Sequence, residues 1–146
     1  MALSWCFEDE SDAVAERVLD SLSEFEALVP AIWLMEVTNG LLAAERKKRT
    51  TPERVDECLK VIRALPLIAD IDADSFGVIR LARGTGLSAY DASYLELAIR
   101  YALPLATRDR ALRAAAGSVG IAIFPSEPKE TQATIENIVV SYLRSS

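Results

Sequence analysis

Residues 87–106, LSAYDASYLELAIRYALPLA, constrain the fold more than any other stretch of this chain. Behind Ser88, a good N-cap, Tyr94, Leu95, Ala98, Ile99 and Ala102 recur at helical spacing, which predicts a helix with one buried face. Pro104, Leu105 and Ala106 follow at once and read as a short buried strand. A helix that empties straight into a strand runs antiparallel to it. Its length of roughly 22 Å, at about 1.5 Å per residue, carries its first turn back to the strand's carboxyl end. Asp91 sits on that turn and Asp109 just past the strand, so two carboxylates meet at one sheet edge. Carboxyl edges are where open α/β sheets place their chemistry.

The rest of the chain repeats the alternation. Ser11 or Asp12 is expected to cap a helix over 12–25, carrying Val14, Val18, Leu19 and Leu22 inward. Residues 27–30 fit a buried strand, and Ile32, Met35, Val37, Leu41 and Leu42 mark a second helix. That helix ends in the basic run Arg46, Lys47, Lys48, Arg49, which complements its dipole. Thr51, Pro52 and Glu53 have the order of cap, first-turn proline and acid, opening a helix to about Leu65. Residues 67–71 suit a strand, and Asp72 or Asp74 caps a helix stopped by Gly84 and Gly86. A short helix over 110–116 and a last apolar strand over 121–124 complete the pattern. Strands alternating with helices predict an α/β fold: a mostly parallel sheet covered on both faces. The domain is expected to span 1–124. Residues 125–146 read as an extension, a polar linker and then a helix through Ile135, Ile138, Val139, Tyr142 and Leu143, despite their β-branched character.

Composition narrows the function. At 146 residues and 51% hydrophobic, the chain fills one core and not two. A net charge of -6 argues against binding nucleic acid through bulk positive charge and leaves only a local basic patch. With no His, catalysis must lean on carboxylates, hydroxyls or bound metal. Cys6 and Cys58 have no metal-type spacing and read as buried, reduced thiols. With no long apolar run and no signal-peptide layout, the expected address is the cytoplasm, away from membranes.

Glu36 is the third acid. It follows the 27–30 strand closely, its side chain leans toward the helix N-terminus, and Asn39 shares its face. Each acid also has a plainer reading. Ser88 to Asp91 matches a capping box, Asp109 can cap the next helix, and Glu36 can be a surface residue. The basic run can be a solvated helix end. Yet acids gathered on one edge repel unless protons or divalent cations lie between them. Oxygen-only ligation suits Mg²⁺ or Mn²⁺, which activate water for attack on a phosphodiester.

Four pieces then fall in order over most of 1–124: ALSWCFEDE, LVPAIWLMEVTNGLLAAERKKR, LARGTGLSAYDASYLELAIR and LPLATRDRALRAAA. Together they resemble PIN-domain proteins of the VapC toxin type. The resemblance implies a three-layer α/β/α domain and a metal-dependent endoribonuclease, with Glu36, Asp91 and Asp109 holding Mg²⁺ or Mn²⁺ and Asn39 and Thr107 in support. It also implies a cognate antitoxin that inserts into the active-site groove. RNA contacts are expected from Arg46, Lys47, Lys48, Arg49, Arg108 and Arg110.

Members of that family begin with a strand carrying an Asp, upstream of the segment that matches ALSWCF. Here Met1 falls where that strand should have ended, so the first central strand and its acid are expected to be missing. Glu8, Asp9 and Glu10 lie beyond the matching position. Three explanations stand: a natural start further upstream, a gap filled by 138–140 or by another subunit, or a non-catalytic PIN relative serving as an interaction module. A sheet without its central strand exposes two edges, so a homodimer or higher oligomer is expected. A phosphate-accepting receiver domain fits less well, because no lysine closes a late strand and the acids here stand on helices.

Overall fold

The computed structural model describes residues 5–6, 12–125 and 137–140. Within them the chain runs α1 (Ala13–Ser21), β1 (Glu26–Pro30), α2 (Trp33–Arg46), α3 (Pro52–Ala64), β2 (Leu67–Asp70), α4 (Ser75–Thr85), α5 (Ala89–Tyr101), β3 (Leu105–Ala106), α6 (Arg110–Ser118) and β4 (Asn137–Val140). Helix starts follow local chemistry. The side chains of Asp12, Thr51, Asp74, Ser88 and Asp109 each accept a hydrogen bond from a first-turn N–H of the helix they open. α2 is the exception, entered through Ile32 with no side-chain cap. Gly86 closes α4 in the left-handed region at φ 76°. Ala102 closes α5 the same way at φ 53°, although a Cβ there costs about 1 kcal/mol. That sharp stop lets β3 begin three residues later.

All strand pairs are parallel, and the spatial order is β2-β1-β4-β3. One of the two central strands, β4, therefore comes from the extension. Asn137 pairs with Glu26, Ile138 with Ala27 and Val139 with Leu28, while Leu105 and Ala106 of β3 lie opposite Val139 and Val140. This corrects the helix expected around Ile138 and Val139. Ile138, Val139 and Val140 are fully buried, and β-branched side chains fill a doubly covered strand better than they fill a helix. It also bears out the alternative in which 138–140 fill the gap. Ile135, Tyr142 and Leu143, the other positions of that helical stripe, lie outside the described residues. Residues 121–124, expected as a last strand, add a single parallel bridge, Ile123 to Leu105, in place of a full strand.

α5 lies against β1, β4 and β3 and packs with α4 and α6, and α2 packs on α3. Trp33, Val37 and Leu41 of α2, Ile62 of α3 and Tyr94, Leu95 and Leu97 of α5 are among the core side chains. Cys6 and Cys58 are joined in a disulfide, with Cα atoms 5.4 Å apart, which corrects the expectation of reduced thiols. Their pairing across 52 residues is a tertiary fact with no local signal. Beside it, the Trp5 indole donates to the Ala15 carbonyl at 2.9 Å. Among the described residues, no helix is long and apolar enough to cross a membrane.

Candidate active site

The carboxyl ends of the strands deliver the acids. β1 ends at Pro30, and Glu36 stands in the first turn of α2. Its Oε1 accepts a 2.8 Å hydrogen bond from the Tyr94 hydroxyl, whose ring is 1% exposed in α5. Tyr94 lies three residues beyond Asp91, so the two share a face of α5. The Asp91 N–H donates to Ser88 Oγ at 3.1 Å, which fixes the turn that carries the Asp91 carboxylate. Glu36 of α2 is thus tied to the face of α5 that also carries Asp91.

Beyond β4, β3 delivers the third acid. Thr107 is fully buried, and its Oγ1 accepts from the Asp109 N–H at 3.1 Å. Asp109 Oδ1 accepts from the Leu112 N–H at 2.8 Å, while Arg113 Nη1 donates to the Thr107 carbonyl at 3.0 Å. The capping readings of Ser88 and Asp109 both hold, and Asp109 keeps a second carboxylate oxygen outside its cap. Arg108 forms an ion pair with Asp12, fastening the start of α1 to this loop.

The family model of the PIN domain matches residues 2–118, most of this α/β unit. The chain belongs to the PIN domain family. Membership brings with it the nuclease class of activity, since PIN domains are generally divalent-metal-dependent nucleases of RNA or DNA. Comparison with curated proteins gives no match. The matched residues stop before β4, so a central strand of this PIN domain comes from outside the matched region.

The donor chemistry at the edge suits a hard divalent ion, because Glu36, Asp91 and Asp109 offer only carboxylate oxygens. The convergence does not: among the described residues, no three Asp, Glu or Cys side chains come close enough together to hold one ion. Glu8, Asp9 and Glu10 lie outside those residues. Asn39 is exposed on α2, one turn beyond Glu36. The basic run is not brought to this edge. Arg46 closes α2 about 15 Å along the helix from Glu36, at about 1.5 Å per residue, and Lys47, Lys48 and Arg49 follow it. Arg110 opens α6 beside Asp109 and is exposed.

Two features of this PIN domain escaped the sequence reading. The first is Tyr94 as the partner of Glu36, because a tyrosine on a buried helical face reads as core. The second is the ion cluster of Asp70, Glu96 and Arg100. Arg100 donates to Glu96 through Nε at 2.8 Å and Nη2 at 3.0 Å, and to Asp70 through Nη1 at 3.0 Å and Nη2 at 2.7 Å. Hydrogen bonding from that guanidinium holds the Asp70 carboxyl below its ordinary range against the opposing effect of burial, and the two acids raise the pKa of Arg100. The spacing of Glu96 and Arg100 was a visible signal, four residues apart on one helix face. Asp70, 30 residues away, carried none.

Proposed function

We propose that this PIN domain is an endoribonuclease toxin of the VapC type, hydrolysing RNA phosphodiester bonds in the cytoplasm under the control of a cognate antitoxin. The observation that supports this reading is the Tyr94–Glu36 hydrogen bond, which ties the first turn of α2 to the α5 face that also carries Asp91, in a family-matched fold. Glu36, Asp91 and Asp109 are the proposed acids, with Thr107 and Asn39 in support, and Mg²⁺ or Mn²⁺ is the proposed ion. Bound there, such an ion would supply Lewis-acid stabilisation and an activated water.

The chain's own residues have distinct tasks in this reading. Tyr94 orients Glu36, and its donated proton lowers the cost of a half-buried carboxylate. Ser88 holds the turn of Asp91, and Thr107 sets the loop of Asp109. Arg110 and Arg108 are placed to meet phosphate, Arg108 by exchanging its contact with Asp12. Arg46, Lys47, Lys48 and Arg49 would serve a longer RNA beyond the edge. Met35 beside Glu36 and Tyr90 beside Asp91 are 69% and 50% exposed, an apolar setting that suits an antitoxin segment laid over the acids. A homodimer or higher oligomer belongs to the same reading.

The test is calorimetric titration of the folded chain with Mn²⁺, run beside cleavage of a labelled RNA. Micromolar Mn²⁺ binding, and cleavage that Asp91→Asn abolishes without lowering the Tm, are the expected results. The second reading, a PIN scaffold kept as a non-catalytic interaction module, is favoured by the lack of a three-acid cluster among the described residues. Folded protein that neither binds Mn²⁺ nor cuts RNA would establish it instead.

A further inference from the structure

α4 packs on α5 along one side and leaves its other face open. Of its eleven residues only Gly77 is buried, and its outer face carries Phe76 at 77% exposure and Ile79 at 44%. Arg80, with a side chain 71% exposed, and Arg83, also exposed, continue that face. Phe76, Arg80 and Arg83 follow the four- and three-residue steps that align side chains in one stripe. An aromatic ring and two guanidiniums at this spacing make a local positive surface on a chain of net charge -6.

We propose that this face of α4 is a track for single-stranded RNA, an inference that rests on the ribonuclease reading above. Phe76 stacks on an unpaired base, and Arg80 and Arg83 hold the phosphates on either side. The only charge facing Arg80 at close range among the described ion pairs is Asp74, at 3.6 Å and half exposed. A pair so long and so wet is weak, and a phosphate that accepts two parallel N–H bonds displaces it. Beside the stripe, a cavity of about 510 Å³ is lined by Leu81, Ile99 and Val119, with Arg80 and Arg100 set against Asp74 and Glu96. That volume admits a flanking nucleoside. Of the other basic groups, 46–49 stand at the far end of α2, while Arg108 and Arg110 flank Asp109 and serve the acid edge itself in the reading above. The chain that carries the track leads directly to one of the acids: Arg83 lies in the last turn of α4, and Gly86 and Ser88 turn the chain into the helix of Asp91.

Fluorescence anisotropy with a labelled single-stranded oligouridine, in EDTA so that nothing is cut, tests the track on the full chain. Phe76→Ala should weaken binding at least about fivefold, the lower limit for losing one stacked base. Arg80→Gln with Arg83→Gln should lower the slope of log affinity against log salt by about 1.4, at about 0.7 per phosphate contact on a single strand. Lys60→Gln, an exposed charge on α3, should change affinity less than twofold. If wild-type protein binds the RNA and the α4 variants bind it equally well, the track is overturned while the ribonuclease reading stands. A Phe76→Ala protein that changes oligomeric state and keeps its RNA affinity also overturns it, marking α4 as a contact between copies. If the wild-type chain binds no RNA, the substrate reading falls and the track falls with it.

Discussion

Replacing Arg100 by Met isolates the cluster that ties α5 to the end of β2. The change keeps an unbranched stem and removes four N–H···O bonds of 2.7 to 3.0 Å. Asp70 and Glu96 are 8% and 6% exposed, so two carboxylates are left side by side with little water. One of them must take up a proton. Removing one partner of a buried ion pair costs about 3–5 kcal/mol, because it leaves uncompensated charge behind. The Arg100 side chain is 25% exposed, which admits some water and reduces that cost. The expected loss is about 3 kcal/mol, the low end for breaking a buried ion pair. For a chain of this length it lowers the Tm by about 6–12 °C.

The pH dependence gives the sharper test. In the wild type, the Asp70 carboxyl is held below its ordinary value of 3.8, so the folded state binds fewer protons than the unfolded state in that window. The stabilisation is therefore complete above about pH 4 and lost as pH falls through the depressed value. In the variant the abandoned acids gain from protonation. The gap between the two proteins should narrow between neutral pH and about pH 4.5, in urea and thermal melts alike. Adding Asp70→Asn and Glu96→Gln to Arg100→Met should recover at least half of the loss. A gap under about 1 kcal/mol at neutral pH, a gap that widens toward acid, or a triple variant no better than the single one would refute the reasoning.

Other perturbations probe separate links. Tyr94→Phe removes the donor to Glu36 and should cost about 1 kcal/mol in a urea melt, with a larger proportional loss in RNA cleavage if Glu36 is catalytic. Ile138→Ala should cost about 2–5 kcal/mol because the side chain is fully buried in a central strand; a loss under about 1 kcal/mol would remove β4 from the core. Ala102→Gly relieves a Cβ at φ 53° and should raise the Tm, with a gain of about 0.5–1 kcal/mol by calorimetry.

Most of the fold was written in local chemistry. Thr51 before Pro52, Asp74, Ser88 and Asp109 mark helix starts because a cap needs only its own first turn, so sequence alone suffices to place them. What stayed hidden depended on partners far along the chain. The same residues that read as a helical stripe around Ile138 become a strand only because β1 and β3 offer backbone groups on both sides, and no periodicity of four residues can reveal that. Cys6 met Cys58, and Asp70 met Arg100, through the fold and not through spacing. The candidate site divides along the same line. Glu36, Asp91 and Asp109 were singled out from cues in their own segments, a nearby strand end or cap, whereas Tyr94 as a donor to Glu36 carried no such cue, since the two are 58 residues apart. β4 joins both halves of the argument. The sheet positions Glu36 through β1 and Asp109 through β3, and β4 pairs with both, with β1 along 137–139 and with β3 along 139–140. Each candidate acid could be named from its own segment, but their relative placement depends on the one strand whose secondary structure the sequence reading missed.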